Sequence, residues 1–523
     1  MVQRTREIIA RFVYQKEIEM NNRYIKVPES ISFKSIEEKD FTLSSSQYMD
    51  LIMPNKNFKF VSEFLSRPLK RADLGNEIGS INYIGNSHFH FLRTKALQPH
   101  TYLPEITKET AIPISPKAFI KQNLKAGDLL ISKDSNIGEI VILDKDYPSV
   151  MTSGAIYRLP VIENKYYLLA FIKHQIFREQ IDFMVPKGAT IRHAKTMFLD
   201  CKIPMPNKKS KETIIYVELL TQGIINKEIL IKERHRRILE TIETELNQSQ
   251  KKKLFKFEYP NINELEEQGR FDTGLYNEEF KTWNHLVKNY KHGSKDLLSR
   301  GFDWSRGTSL EKNFIKTRID SDTYHKGFYE LVLPTNISQY GYVDKSTFIG
   351  TPTKLKTISQ GDIIFGGEGF GKGRTYVVVE NSKNVATNYH GIRIINKNKN
   401  LIESIFIRCF LAFWRSKGMI DFIGVGGSGG HCAPSYFHLI ETPLFDDIKQ
   451  NEIAKLYHNS KIKYETGNCS IENFLQTDNK YNQHAGIYEL DKTAKQLKKK
   501  LDIAIDNIVN DRPVNINFDI DNW

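Results

Sequence analysis

At 523 residues, with 40% hydrophobic and 11% aromatic residues, the chain is long enough for two or three cores and too apolar for global disorder. Its 75 Lys and Arg against 62 acidic residues give a net charge of +13 and a pI near 9.2, which favours a polyanionic partner. No run of 18 apolar residues spans a membrane, the charged N-terminus MVQRTREIIARFVYQKEIE lacks a secretory pattern, and Cys201, Cys409, Cys432 and Cys469 show neither metal nor disulfide spacing. A reducing cytoplasm and buried, inert thiols are expected.

Residues 1–42 read as a helical or irregular lead-in. Residues 43–207 form a first globular unit, in which the β-branched runs GDLLI and IGEIVIL predict strands and YYLLAFIKHQIFREQI predicts a helix. A central spacer helix is predicted over 208–256. Val217, Ile224, Ile231 and Ile238 fall seven apart in it, and a helix of this length reaches roughly 60 Å.

The second unit, 257–446, repeats the first. Leu65-Ser66-Arg67 recurs as Leu298-Ser299-Arg300, Gly127-Asp128 as Gly361-Asp362, and Leu169-Ala170-Phe171 as Leu411-Ala412-Phe413. His193 and His431 each close a glycine-containing turn, KGATIRH and GGSGGH. Four matches in the same order, each roughly 235 residues apart, indicate a diverged duplication with loops absorbing the drift. The strands GDIIF and TYVVVE and the helix IFIRCFLAFWRSKGMIDF follow the same plan. Each copy is thus an α+β unit.

The C-terminal region, 447–523, carries a second seam: Ile487, Leu490, Ala494, Leu497, Leu501, Ala504 and Ile508 alternate spacings of three and four. So narrow a seam on a charged helix predicts a helical partner, and the two long helices are expected to pair as an antiparallel coiled coil that separates the tandem units. The stretches 251–270 and 461–484 read as linkers, the latter a polar insert interrupting the helical region.

Motifs for catalysis are missing. GGEGFGKG at 366–373 satisfies GxxxxGK, but Gly373 stands where a P-loop needs Ser or Thr, and strand-like TYVVVE follows instead of a helix. A flexible hairpin is the better reading. There is no Pro-Pro for an amino-methyltransferase loop, no HExxH, and GGSGG lacks the context of a nucleophile elbow.

This arrangement resembles the specificity (S) subunit of type I restriction–modification systems. The likeness rests on the two units each followed by a spacer helix, the GD strand ahead of a Gly/Asn turn, and the LLAFIK and CFLAFW helices. It rests also on the glycine turns closing on His before IPMP (203–206) and ETPL (441–444), and on RFDTGLYNEEF at 270–280 with its weaker counterpart LSSSQYMDL (43–51). The resemblance implies a non-catalytic chain in which each unit is a target-recognition domain reading half of an interrupted site in double-stranded DNA. The helices would set the gap and dock two methyltransferase subunits. Adenine methylation with S-adenosylmethionine, and translocation or cleavage with ATP and magnesium, would belong to those partners and a motor subunit, in a prokaryotic cytoplasm.

Base and phosphate contacts call for bidentate and cationic groups on exposed turns. In the first unit these are Lys133, Asp134 and Asn136 after the GD strand, Thr152 and Ser153, and Lys187, Thr190 and Arg192 of the glycine turn. In the second they are Arg306 and Thr308, Glu368, Lys372 and Arg374, Asn388, Tyr389 and His390, and Ser428 and His431. The runs Lys251-Lys252-Lys253 and Lys498-Lys499-Lys500 read as solvated helix faces. Two other classes stay open at this point: a nucleic-acid-acting enzyme with an unrecognised nuclease site, and a coiled-coil scaffold for proteins.

Overall fold

The computed structural model describes residues 24–38, 41, 48–185, 195–251, 254–311, 313–380, 384–426, 430–464 and 469–520. Lys187, Thr190, Arg192 and His193 of the first glycine turn, Ser428 of the second, Lys252, Lys253 and the segment before residue 24 lie outside them. The chain divides into two units. Met1–Ile229, Lys463–Gln483 and Lys492–Trp523 make unit 1; Leu230–Ile462 and His484–Asp491 make unit 2.

Unit 1 runs through β1 (Phe58–Phe60), β2 (His90–Leu92), β3 (Ala111–Pro113), β4 (Leu129–Ser132), β5 (Ile140–Ile142), β6 (Val150–Thr152) and β7 (Ile156–Leu159). Then come α1 (Lys165–Lys173), α2 (Gln175–Met184), β8 (Lys202–Pro204) and the long α3 (Ser210–Gln248). Every residue of β4 and β5 is buried, as the apolar runs Leu129–Ile131 and Ile140–Ile142 require. β4 lies antiparallel between β5 and β7; β2 pairs antiparallel with β3 and parallel with β6; β1 closes against β8. Tyr167 to Ile172 of α1 are all buried, so this helix is apolar around its circumference rather than along one stripe.

Unit 2 follows the same plan. It contains β9 (Ser294–Asp296), β10 (Phe302–Arg306), β11 (Ile319–Ser321), β12 (Tyr329–Leu331), β13 (Thr347–Gly350), β14 (Thr357–Ile358), β15 (Ile363–Gly366), β16 (Thr375–Val377) and β17 (Val385–Ala386). β18 (Gly391–Asn396), α4 (Leu401–Ser416) and β19 (Glu441–Pro443) complete its mixed core, followed by α5 (Asp447–Tyr457); beyond it, most of α6 (Phe474–His484) and of α7 (Ile487–Val509) belongs to unit 1. The order β16–β15–β18 repeats β5–β4–β7, the trio β13–β12–β17 repeats β3–β2–β6 with its parallel pair, and β9–β19 repeats β1–β8.

The duplication extends to single hydrogen bonds. Gly127 and Gly361 take φ of 83° and 85°, and their amides donate to Leu143 and Val378 carbonyls. The Asp128 carboxylate accepts from the Lys125 amide at 2.8 Å and the Asp362 carboxylate from the Ser359 amide at 2.8 Å. The repeated Gly-Asp is therefore a turn device: glycine supplies the left-handed residue and aspartate ties the turn. The Leu-Ser-Arg repeat differs. The Ser66 amide bonds the Pro160 carbonyl, whereas the Ser299 amide bonds Asp296, so the two tripeptides do not share a register.

The P-loop-like segment is a hairpin. β15 and β16 are antiparallel neighbours joined by a short turn over Gly369–Gly371, and no helix opens behind it.

Within unit 1, residues 210–229 of α3 and 492–509 of α7 run antiparallel. Asn207 donates to Asp511 at 2.8 Å near one end, and further along a Cβ on Gly223 would come within 3.1 Å of Leu497. Val217, Leu220 and Ile224 share one core with Leu497, Leu501, Ala504 and Ile508. That core also contains Leu129, Ile131 and Phe171, so the helix is packed on its own unit as well as on its partner helix, which corrects the expectation of a narrow seam. Ile231, Ile238 and Leu490 are buried in turn, while Ala494 is half-buried beside buried Thr493.

The polar insert also departs from expectation. Instead of a linker it forms α6, seated on α3 in unit 1 through a buried polar network. Lys227 and Asp478 are both fully buried and ion-paired; Asn482 accepts from Lys227 at 2.9 Å and the Tyr464 hydroxyl donates to Asp478 at 2.7 Å. In unit 2 the insert leaves and re-enters at one point. A Cβ on Gly486 would lie 2.6 Å from the Tyr457 carbonyl, so only glycine lets the start of α7 abut the end of α5. Glu489 fixes the junction by accepting from the Asn459 and Gly486 amides at 2.9 and 3.0 Å.

Candidate nucleic-acid interface

In unit 2 the turns after β10, β15 and β17 converge on one rim. Gly307 passes so close under the next turn that a Cβ would stand 2.2 Å from the Asn388 carbonyl oxygen, and Thr308 bridges to Asn388 in parallel register. The Thr308 hydroxyl accepts from the Lys356 amide at 3.0 Å. The Arg306 guanidinium donates to the Tyr389 carbonyl at 3.2 Å, with its carbon 4.5 Å from the centre of the Tyr389 ring. Glu368 meets His390, whose ring is 58% exposed, and His431 bridges antiparallel to both Glu368 and Val425. Asn388 Oδ1 is buried with no hydrogen-bond partner. The rim thus gathers Arg306, Thr308, Glu368, Asn388, Tyr389, His390 and His431.

Two residues expected here do other work. Lys372 is a mostly buried partner of Asp421 at 2.6 Å, and the Arg374 guanidinium turns inward to the Ile337 carbonyl at 2.7 Å. Both hold the hairpin rather than the rim.

The same rim in unit 1 is built on Gly75, where a Cβ would stand 2.2 Å from the Ser153 carbonyl, and on the parallel bridge from Asn76 to Ser153. The Lys133 amide donates to the Ala155 carbonyl just as the Gly367 amide donates to that of His390. Gly154 and Ala155 therefore occupy the places of Tyr389 and His390, and Asp134 the place of Glu368. Lys133 and Asp134 are ion-paired at 2.6 Å, with side chains 20% and 13% exposed, and Asn136 donates to the Leu97 carbonyl at 3.3 Å.

Thr152 and Ser153, expected on an exposed turn, are buried. Gln122 accepts from the Thr152 amide and hydroxyl at 2.9 and 3.0 Å, and the Ser153 amide donates to Leu92. Gln122 and Lys356 were not singled out from the sequence; the first would have emerged only by asking what satisfies a buried threonine.

Electrostatics separate the framework from the rim. Burial raises the Asp362 carboxyl against the amide bonds that oppose it, and burial lowers the Arg393 guanidinium, which donates to Ser305 at 2.7 Å and Thr357 at 3.0 Å. Burial likewise pushes the Cys201 and Cys409 thiols up and that of Cys432 to about 12, which makes them inert at neutral pH. Among the described residues no three His, Cys, Asp or Glu side chains are grouped to hold a metal ion, and no helix is long and apolar enough to cross a membrane.

The fold is thus a duplicated α+β chain whose copies share a frame and differ in rim chemistry. No protein-family model and no curated protein matches it. Among solved structures it is similar to the type I restriction–modification S subunit from M. genitalium, at 12% identity and a TM-score of 0.37, over 89% of this chain and 96% of that one. It is also similar to a chain from a study of complex assembly and conformational transition in the type I R-M system, at 10% identity, 87% and 98% coverage and a TM-score of 0.26. A third is the HsdS subunit from Thermoanaerobacter tengcongensis, at 10% identity, 87% and 96% coverage and a TM-score of 0.25. The first and third of these carry the name of the family that the sequence motifs resemble.

Proposed function

We propose that the chain is the DNA-specificity subunit of a type I restriction–modification complex, with unit 1 and unit 2 each reading half of an interrupted site. The observation that carries this reading is one frame presented twice with different rims: Gly154-Ala155 beside Asp134 in unit 1, Tyr389-His390 beside Glu368 and Arg306 in unit 2. A duplicated enzyme would keep its reacting groups in one copy at least, whereas a two-part reader needs a common scaffold and unlike contacts. The excess of basic residues suits a phosphate backbone.

In this reading α3 and α7 set the gap between half-sites and dock two methyltransferase subunits. S-adenosylmethionine, and ATP with magnesium for a motor or nuclease subunit, act in those partners, and the complex works in a prokaryotic cytoplasm. The test is a base-resolution map of methylated adenines in host cells with and without this gene. An interrupted motif with a fixed gap, methylated only when the gene is present, supports the proposal; identical maps in cells expressing the chain and its partner overturn it.

A further inference from the structure

At one further place the two frames keep a carboxylate beside a nitrogen-bearing side chain. Asp128 and Asp362, equivalent to each other, both accept from backbone amides and so build the turn. Asp134 and Glu368, also equivalent, differ in length and are partnered from different positions, Lys133 next in sequence and the His390 ring across the rim. The turn does not dictate such couples. A lone carboxylate on a face that meets phosphates is repelled, yet beside a donor it makes an acceptor–donor couple. That couple is the complement of a base edge carrying an amino group next to an acceptor: N6 and N7 of adenine, or cytosine N4 beside guanine O6 within one pair.

We propose that each unit reads one base pair of its half-site through this couple, Lys133–Asp134 in unit 1 and His390–Glu368 in unit 2. The inference rests on the DNA-specificity reading above and assigns its first residue-level determinant. Both couples sit part-exposed at the rim, the Glu368 side chain 34% exposed and that of Asp134 13%, so they are held in orientation before DNA arrives. Carboxylate accepts from the amino group while the lysine ammonium, or an N–H of the imidazole, donates to the neighbouring acceptor, and the two halves read their pairs independently.

The experiment is adenine-methylation mapping in host cells carrying the chromosomal variants Asp134→Asn, Glu368→Gln and His390→Gln, with thermal melting of the purified chain in its complex. Expected is retained bipartite methylation with discrimination relaxed roughly ten- to a hundredfold at a single base pair. Glu368→Gln and His390→Gln should relax the same position in one half-site, and Asp134→Asn a position in the other. The inference is overturned if the motif is unchanged at every position. It is equally overturned if the two unit 2 variants relax different positions, or if methylation falls uniformly in variants that melt like the wild type. Should a carboxamide variant melt early, His390→Gln, on an exposed ring, decides the matter for unit 2. A wild-type map without any bipartite motif defeats the specificity reading itself; a wild-type motif that the variants leave untouched defeats the couple alone.

Discussion

Arg306 sits over Tyr389, its guanidinium carbon 4.5 Å from the ring centre, and donates to the carbonyl of the same residue. The stack presents a cation and an aromatic face together, and lysine cannot reproduce it because it lacks the planar fork. Arg306→Ala should weaken binding of the assembled complex to its cognate duplex about tenfold or more, and Arg306→Lys should restore little of the loss. Fluorescence anisotropy at fixed salt checks this. Unchanged affinity in both variants would remove Arg306 from the interface.

The buried pair of Lys227 and Asp478 makes a stability prediction of the opposite kind to a surface ion pair. Lys227→Ala leaves a carboxylate buried without its cation and should cost about 3–5 kcal/mol. Replacing both by apolar residues, Lys227→Met with Asp478→Leu, should recover most of it, less the cost of the Tyr464 hydroxyl and Asn482 left behind. Chemical denaturation of the single and double variants gives the coupling directly. A double variant that loses as much as Lys227→Ala would mean that the cost does not come from leaving one buried charge unpaired.

His235 points to acid sensitivity. Burial, helped by Arg408 and Arg415, lowers its imidazole to about 3 from an ordinary 6.5. Between those values the unfolded chain binds a proton that the folded chain refuses, so stability falls as pH drops from 6.5 towards 3, by up to about 1.4 kcal/mol per pH unit. Above 6.5 the group has no effect. His235→Gln should flatten this part of a melting-temperature profile, and an unaltered slope would assign the acid lability elsewhere.

Gly75 and Gly307 are predicted to be intolerant of any side chain, because each passes within van der Waals contact of a carbonyl that a Cβ would enter at 2.2 Å. Gly75→Ala and Gly307→Ala should each destabilise the chain by about 1–3 kcal/mol through forced backbone shifts. Melting curves of the two variants should match within error, since the frames are equivalent. A neutral alanine at either site would show that the close approach is not required there.

Much of this was legible in the amino-acid sequence because it is written in local patterns. Gly127-Asp128 and Gly361-Asp362 announced a duplicated turn, and β4 and β15 announced themselves as buried strands. Thr152 and Ser153 were misplaced because small hydroxyl residues look solvent-facing until a distant acceptor such as Gln122 satisfies them. The insert holding α6 was misread for a related reason. Its inward face combines Phe474 with Asp478 and Asn482, and a search for apolar periodicity is blind to a helix that packs partly through a buried charge. The parallel pairing of β2 with β6 joins residues some sixty apart, and no short-range signal encodes it. On the rim, the sequence pointed to Glu368, Tyr389 and His390, but their meeting depends on Gly307 slipping beneath Asn388.

The contact of Gly486 with Tyr457 has a consequence for how such a chain changes over time. Because the segment between them departs and returns at one spot, residues can be gained or lost in the stretches flanking α6 without altering how the end of α5 meets the start of α7. Chain length and junction geometry are therefore separate variables here. A lineage can elaborate those flanking stretches, or trim them, while the junction itself stays the same.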